Sequence, residues 1–164
     1  DGSGTQYVDL GTFDPSAGTG QLSVSLWVRW NGLNDQYQGL IAKRDGWAAD
    51  NMMWHLEAQQ TTGAVRVGRE GISQVQGEPL TEGQWEHWAF TFDGSEVVLY
   101  RNALVSATGG FSFGSDREAS LHLGVGSIND DGTGTNPYNG ALDEVRLYDR
   151  VLSPFEVRYL AGQR

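Results

Sequence analysis

The sequence predicts an all-β fold of short strands, either a sandwich or a barrel. The 23 glycines of the 164-residue chain separate short runs of β-branched and aromatic residues along its whole length. Such punctuation is typical of strands joined by turns. Many of the runs alternate apolar and polar residues, which places one set of side chains on each face of a sheet. Helix signals are scarce, and this also favours an all-β fold.

Alternation is clearest in QLSVSLWVRW, residues 21–30, where every second residue is Leu, Val or Trp. Two hairpins are predicted after it. The first joins NMMWHLEA to VRVGRE through QQTTGA, and the second joins QWEHWAFTF to SEVVLY through the tight turn Asp93-Gly94. Because the hairpins follow one another, we predict a meander within one larger antiparallel sheet.

A single clear helix start lies near the C-terminus. Ser153 can cap the helix, Pro154 suits the first helical position, and Glu156 completes a Ser-x-x-Glu capping box. No internal repeat and no Pro-rich or Ser-rich linker divides the chain, and 164 residues fit one domain. The sequence therefore predicts a single domain, residues 1–164, with one short C-terminal helix.

Composition excludes several classes of partner. The chain has 21 acidic and 11 basic residues and a net charge of −10, a balance that repels phosphate backbones and argues against nucleic acid. No apolar run is long enough to span a membrane. The chain has no cysteine, which removes disulfides and thiolate metal sites. Because the sequence begins at Asp1 without a methionine, we expect either a mature protein or an excised module, and we favour the module.

Several motifs in fixed order carry a family resemblance. They are DGSGTQYVDLG at the start, LSVSLWVRW, GLIAKRD, EGQWEHWAFTFDGSEVVLYRN, LHLGVG, and YNGALDEVRLYDRVLSPFEVRYLAG at the end. Together they resemble the laminin-G-like jelly-roll domain of the concanavalin A-like lectin and glucanase superfamily over nearly the whole chain. The resemblance implies an antiparallel two-sheet jelly-roll sandwich with one short C-terminal helix. The sequence departs from it at Asn102-Ala103, where Asp-Gly is usual, so the geometry of that hairpin is open.

The resemblance does not decide function, because this fold hosts lectins, glycan-binding modules, adhesion domains and glycosidases. Glycoside hydrolysis needs two carboxyl groups flanking the scissile bond, and the Glu-x-Asp-x-x-Glu string of jelly-roll glycosidases is absent. Asp143 and Glu144 are adjacent, so a strand would point them to opposite faces. We therefore expect a non-catalytic carbohydrate-binding module that binds polysaccharide and belongs to a larger secreted bacterial protein. An adhesion domain of a cell-surface protein is the alternative, and a glycan-active enzyme is the third possibility.

Many members of the resembling family hold a structural calcium ion where the first strand meets the last. The resemblance implies Asp1 and Asp143 as its side-chain ligands, with main-chain carbonyls supplying further oxygens of the kind calcium prefers. The alternative is that Asp143 caps a turn or pairs with Arg146 or Arg150. The run from Asn129 to Asn136 is a second open case, since it could be a plain turn, a ligand rim or a metal loop.

Sugars are bound by aromatic rings that stack on their C–H faces and by polar groups that contact their hydroxyls. Trp47 is the leading candidate, because KRDGWAADN is polar, contains glycine and is predicted to be a loop. Packing of Trp47 onto a neighbouring loop is an equal alternative. Arg44, Asp45 and Asn51 of the same loop could bind hydroxyls. Tyr37 and Tyr138 are predicted to form an opposite wall if their loops converge.

Overall fold

A computed structural model describes residues 6–48, 50–69, 71–129 and 131–163, which form 13 strands and one helix. The strands are β1 Val8–Asp9, β2 Leu22–Trp30, β3 Gln38–Arg44, β4 Met52–Ala58, β5 Ala64–Arg69, β6 Ser73–Pro79, β7 Trp85–Phe92, β8 Glu96–Arg101, β9 Leu104–Gly110, β10 Leu121–Leu123, β11 Ser127–Ile128, β12 Gly134–Thr135 and β13 Gly140–Tyr148. The helix is α1, Pro154–Leu160. None of the described helical residues forms a segment long and apolar enough to cross a membrane.

Two antiparallel sheets pack face to face as a sandwich. One has six strands in the order β1-β10-β3-β4-β5-β6, and the other has five in the order β13-β2-β7-β8-β9. β11 and β12 form a separate two-stranded hairpin. The prediction of a two-sheet jelly-roll sandwich with one short helix is confirmed.

The core lies between the two sheets and is built from the alternating apolar residues. On β2 and β7, pairs such as Val24 with Phe90 and Leu26 with Trp88 stand in register on the inner face. The Trp54 ring of the opposite sheet meets Phe90 edge to face, with 5.5 Å between ring centroids. The two-residue period read from the sequence is therefore the period of core burial.

The predicted hairpins form, but they do not make one meander. β4 and β5 belong to the six-stranded sheet, whereas β7 and β8 belong to the five-stranded sheet. The chain changes sheets between β6 and β7, so the two hairpins face each other across the core. Alternation marks a strand and its faces, but it does not say which sheet the strand joins.

The turn at Asn102-Ala103 keeps the geometry that an Asp-Gly turn would have. Both residues have positive φ, 48° for Asn102 and 69° for Ala103, as required at both central positions of a two-residue hairpin turn. Ala103 adopts this left-handed conformation although a Cβ disfavours it. The Asn102 side chain accepts a hydrogen bond from the backbone N–H of His87 at 2.9 Å, which fixes the turn against the neighbouring strand.

The helix begins as predicted. Ser153 is the N-cap and Pro154 the first helical residue, and both hydrogen bonds of the capping box with Glu156 are present. Val157 and Leu152 pack on Ala89 and Tyr100, so the helix covers part of the outer face of the five-stranded sheet. The helix does not pack on the outer face of the six-stranded sheet.

Candidate functional site

Polar side chains line the outer face of the six-stranded sheet. Ile41, Leu56, Val67 and Val75 stand opposite one another on β3 to β6 and belong to the core. Because side chains alternate along a strand, the next residues point away from the core. They form two rows, Ala42, His55, Gly68 and Gln74 in one and Glu57, Arg66 and Gln76 in the other.

A cleft of about 330 Å³ opens on this polar face. His55 and Arg66 contribute side chains from the middle of the sheet, and the turn from β5 to β6 adds Ile72, which is 58% exposed. The cleft thus combines a buried polar floor with an apolar side chain at its rim. The described lining residues are His55, Arg66, Gly68, Arg69, Gly71, Ile72, Ser73 and Gln74.

His55 lies at the floor with its ring fixed on one side. An Arg44 guanidinium N–H donates to His55 Nδ1 at 3.2 Å, so the neutral ring carries its proton on Nε2. Burial, reinforced by Arg44 and Arg66, holds the pKa of His55 well below its usual range. His55 Nε2 is buried without a hydrogen bond to a described residue, and the Oε1 atom of the buried Glu57 carboxylate lies 3.6 Å from it. The same Nε2 lies beside Gly68, where a Cβ would come within 2.4 Å of it.

Arg66 is held rigidly beside His55. Its Nε and one terminal nitrogen donate to Oε1 of Glu57 at 2.8 and 2.6 Å, and its other terminal nitrogen donates to Gln74 at 2.9 Å. Glu57 is fully buried, so the ion pair compensates the cost of burying its carboxylate. The Tyr37 ring lies against the same guanidinium, at 4.6 Å from its centroid. Arg66 is therefore a preorganised part of the cleft.

Trp47 and Arg44 form a stacked pair next to the cleft. The guanidinium carbon of Arg44 is 3.4 Å from the Trp47 ring centroid, and Arg44 also contacts His55, a lining residue. Arg44 is fully buried, whereas Trp47 is 39% exposed. The predicted loop residue thus packs on its neighbour and still presents part of its indole to solvent.

Asp45 and Asn51 shape the loop that carries Trp47. The Asp45 carboxylate accepts from the backbone N–H of Ser120 at 2.8 Å. The Asp45 N–H donates to the Asn51 carbonyl, and the Asn51 N–H donates to the Ala48 carbonyl. Both residues are exposed. These hydrogen bonds hold Asp45, Ala48 and Asn51 together and so help to fix the position of Trp47.

Of the two tyrosines predicted to form an opposite wall, Tyr37 borders the polar face and Tyr138 does not. Tyr138 is only 5% exposed and belongs to the hydrophobic core. Burial raises the pKa of its hydroxyl, and the nearby Glu86 carboxylate raises it further. Tyr138 also borders a second cleft, of about 520 Å³, with Tyr7, Val8 and Leu142. Tyr138 is therefore not part of the candidate site, because its ring packs in the core of the sandwich.

The predicted calcium ligands are only partly described. Asp1 lies outside the described residues. Asp143 is exposed, and its Oδ1 accepts the backbone N–H of Glu144 at 2.7 Å beside an irregularity in β13. Within the described ranges, no three His, Cys, Asp or Glu side chains cluster as metal ligands would. Asp143 therefore fits the alternative of a turn cap, and calcium stays a prediction.

Asn129, Asp131, Gly132 and Thr133 lie at the tip of the β11–β12 hairpin, and Gly134–Thr135 is β12 itself. Asp131 accepts hydrogen bonds from the N–H and the hydroxyl of Thr133 at 2.9 and 2.6 Å, and Asn129 donates to the same hydroxyl. The Tyr7 hydroxyl donates to the Gly132 carbonyl at 2.7 Å. Asp130 lies outside the described residues. The side chains of Asn129, Asp131 and Thr133 hydrogen-bond to one another within the turn, which fits the plain-turn alternative.

Comparison with known proteins identifies the family. A laminin-G profile described as "Concanavalin A-like lectin/glucanases superfamily" matches residues 1–158. The chain belongs to this superfamily. No curated protein matches the chain.

Solved structures of similar fold include carbohydrate-binding domains. Domain 4 of AbnA, a GH43 extracellular arabinanase from Geobacillus stearothermophilus solved with arabinotriose, is 26% identical with a TM-score of 0.68, over 94% of this chain and 72% of that one. The CBM40 of a Ruminococcus gnavus IT-sialidase, bound to α2,3 sialyllactose, is 18% identical with a TM-score of 0.71, over 96% and 92%. A putative carbohydrate binding protein from Bacteroides ovatus is 14% identical with a TM-score of 0.69, over 85% and 40%.

Some residues at the edge of the cleft were candidates from the sequence, whereas the residues at its floor were not. Trp47, Arg44 and Tyr37 were candidates, but His55 and Arg66 were not. The signal was available, because His55 and Glu57 alternate with apolar residues on β4, as Arg66 and Gly68 do on β5. Two polar rows on paired strands of one hairpin must share a face.

Proposed function

We propose that the chain is a non-catalytic carbohydrate-binding domain that holds its ligand in the cleft of the six-stranded sheet. One observation carries the proposal. The partly exposed indole of Trp47 stacks on the buried guanidinium of Arg44, directly beside a cleft floored by fixed polar groups. A sugar ring presents C–H faces to an aromatic surface and hydroxyls to such groups.

The similar structures support this function. They are a domain of an arabinanase in complex with arabinotriose and a sialidase CBM40 bound to sialyllactose, and both are parts of larger enzymes. We propose by analogy that this chain is one module of a secreted bacterial protein that acts on polysaccharide. The absence of cysteine is compatible with that setting but does not determine it.

The cleft itself favours binding over catalysis. Glycosidases place two carboxyl groups about 5–10 Å apart around the bond to be broken. The described residues that line the cleft include no Asp or Glu. Glu57, which lies behind them, is buried and accepts two hydrogen bonds from Arg66. A carboxylate fixed in this ion pair is poorly placed to give or take a proton.

The test compares two tryptophans. Trp47→Ala removes a 39% exposed indole beside the cleft, and Trp85→Ala removes a 45% exposed indole on the five-stranded sheet. A glycan array first identifies a ligand, and calorimetry then measures its affinity for both variants. Trp47→Ala should weaken binding about tenfold or more, while Trp85→Ala and the unaltered chain bind equally.

Equal affinities of Trp47→Ala and Trp85→Ala would show that the cleft does not hold the ligand. An array without any bound glycan would contradict the proposed function as a whole. The adhesion alternative would then gain support, since a protein-contacting domain does not need this cleft. The melting temperatures of both variants, measured in parallel, show whether a loss of binding results from a loss of folding.

A further inference from the structure

A strip of aromatic side chains lies on the opposite sheet from the cleft. Phe155 and Tyr159 stand one turn apart on α1 and are 76% and 64% exposed. Phe13, in the segment between β1 and β2, is also exposed. Tyr148, the last residue of β13, is partly buried against the residues that α1 covers. These four residues are the aromatic strip, and exposed apolar side chains gathered in one place often mark a binding surface.

Tyr148 borders two hollows in this strip. The smaller one, of about 280 Å³, is lined by Tyr148 together with Phe155 and Tyr159 of the helix. The larger one, of about 470 Å³, is lined by Tyr148 together with Phe13. Small-ligand sites have volumes of about 300–1,000 Å³. Each hollow is therefore close in size to such a site, and aromatic rings border both.

Each hollow also has a charged group at its rim. Arg150 lines the smaller hollow and donates two hydrogen bonds to the Glu156 carboxylate, at 3.1 and 2.6 Å. Glu156 in turn accepts from the N–H and the hydroxyl of Ser153 at 2.8 and 2.9 Å, so this group is held in place by the helix cap. The exposed Asp149 lines the larger hollow. A guanidinium only donates and a carboxylate only accepts, whereas a hydroxyl does both, so the two rims together suit a ligand rich in hydroxyls.

The charges of the strip favour an uncharged ligand. Arg150 pairs with Glu156, and Asp14, which lines the larger hollow, pairs with Arg117. Asp149 adds negative charge to the larger hollow, and the whole chain has a net charge of −10. An acidic ligand, or a second copy of this chain, would therefore meet charge of its own sign. A neutral ligand with apolar faces and hydroxyls meets no such repulsion.

We propose that the aromatic strip is a second carbohydrate-binding site, which takes a neutral oligosaccharide with one sugar ring on each side of Tyr148. Phe155 and Tyr159 contact the C–H face of one ring, Phe13 contacts the next, and the charged groups at the two rims bind hydroxyls. This inference rests on the proposed function for its ligand class. It concerns the other sheet, however, so a glycan held in the cleft leaves the strip free.

The test follows the amide shifts of the ¹⁵N-labelled chain by NMR while arabinotriose, xylotriose and cellotriose are each added in turn. At least one of these neutral trisaccharides should shift Tyr148, Phe155 and Tyr159 together. The double variant Phe155→Ala/Tyr159→Ala should weaken that binding, followed at Tyr148, about tenfold or more. Leu104→Ala is the matched control, because it removes a comparably exposed apolar side chain from β9, and it should leave the affinity unchanged.

Two results would overturn the proposal. One is that none of the three trisaccharides shifts the strip, and the other is that the double variant binds as tightly as Leu104→Ala. Sedimentation equilibrium tests the rival occupant, a second copy of the chain. A dimer that becomes a monomer in the double variant would make the strip an interface between copies and would also overturn the proposal, whereas a monomer in both cases leaves the strip accessible, as the proposal requires.

The variant Trp47→Ala distinguishes failure of this proposal from failure of the proposed function. If the strip is an independent site, its shifts persist in Trp47→Ala with the same affinity while binding at the cleft is weakened. Strip shifts that disappear in Trp47→Ala would overturn the second site alone, because the strip would then only respond to the cleft. Strip shifts without any change at the cleft would support the second site and contradict the cleft. If neither place responds and a glycan array is also blank, both proposals are wrong.

Discussion

The guanidinium carbon of Arg44 lies 3.4 Å from the ring centroid of Trp47, and a guanidinium N–H of Arg44 donates to His55 Nδ1 at 3.2 Å. One buried side chain therefore fixes both the exposed indole and the histidine at the cleft floor. Lysine keeps the charge but lacks the flat, forked guanidinium.

Arg44→Lys should weaken glycan binding and lower the free energy of unfolding by about 2 kcal/mol, because a buried hydrogen bond to a charged group is lost. Urea denaturation and calorimetry measure the two effects. Arg117→Lys is the control, since Arg117 is half exposed and pairs with Asp14 at the surface. Equal stabilities of the two variants would contradict the role assigned to Arg44.

Gly68 gives His55 its place in the cleft. A Cβ at Gly68 would lie 2.4 Å from His55 Nε2, whereas a Cβ at Gly110 would meet nothing within 4 Å. Gly68→Ala should therefore displace the ring, weaken binding and cost about 1–3 kcal/mol of stability. Gly110→Ala should change neither quantity appreciably. Binding unaffected by Gly68→Ala would show that the ligand does not depend on the position of His55.

Ala103 carries a conformational cost that glycine would relieve. Its φ of 69° lies in the left-handed region, where a Cβ costs about 1–2 kcal/mol. Ala103→Gly should raise the free energy of unfolding by about 1 kcal/mol after the extra chain entropy of glycine is subtracted. Ala107→Gly, within β9, should instead destabilise the domain. Thermal and urea unfolding decide the sign, and a destabilised Ala103→Gly would contradict the cost assigned to Ala103.

Acid should destabilise the domain through its histidines. Burial lowers the pKa of His55 and His122 and lowers that of His87 from 6.5 to about 4. The unfolded chain then binds more protons than the folded one below pH 6.5, so stability falls as pH falls through that range. The contribution of His87 is complete above pH 6.5 and is lost progressively toward pH 4.

Urea unfolding between pH 7.5 and 4.5 measures this loss, and NMR titration of His87 measures its pKa directly. The variant His87→Gln should show a shallower pH dependence than the unaltered chain. A flat stability profile, or a His87 pKa at or above 6.5, would contradict the assignment.

Calcium remains a prediction from the family resemblance, through Asp1 and Asp143. A chelator should lower the melting temperature if such an ion ties the chain together, because an ion bound only to the folded state stabilises it. Asp143→Asn should reduce the shift, whereas Asp149→Asn, an exposed neighbour, should retain it. No change with the chelator would exclude a stabilising calcium ion.

Local patterns predicted much of this fold. The alternation in β2 and β7, the turn at Asp93-Gly94 and the capping box at Ser153 each depend on neighbours in sequence, and each is present. The division of the two hairpins between two sheets was not predicted, because it is decided by which apolar faces meet across the core.

The candidate site, like the fold, could be predicted only where it depends on neighbours in sequence. Trp47 could be predicted because a tryptophan in a polar loop is unusual, whereas the cleft depends on the register of β4 against β5 and on Arg44 reaching His55. Tyr138 was misplaced for a related reason. Its surroundings in sequence are those of a loop, and only the packing of β13 on β2 shows that its ring is in the core.

Mapping the ligand by NMR tests the central claim most directly. Amide and imidazole ¹⁵N shifts would be followed while the saccharide with the highest affinity on the array is added. The largest changes are expected at the residues that line the cleft, His55, Arg66, Arg69 and Ser73, and at the Trp47 indole. Changes confined to the five-stranded sheet, or to the second cleft beside Tyr138, would contradict it.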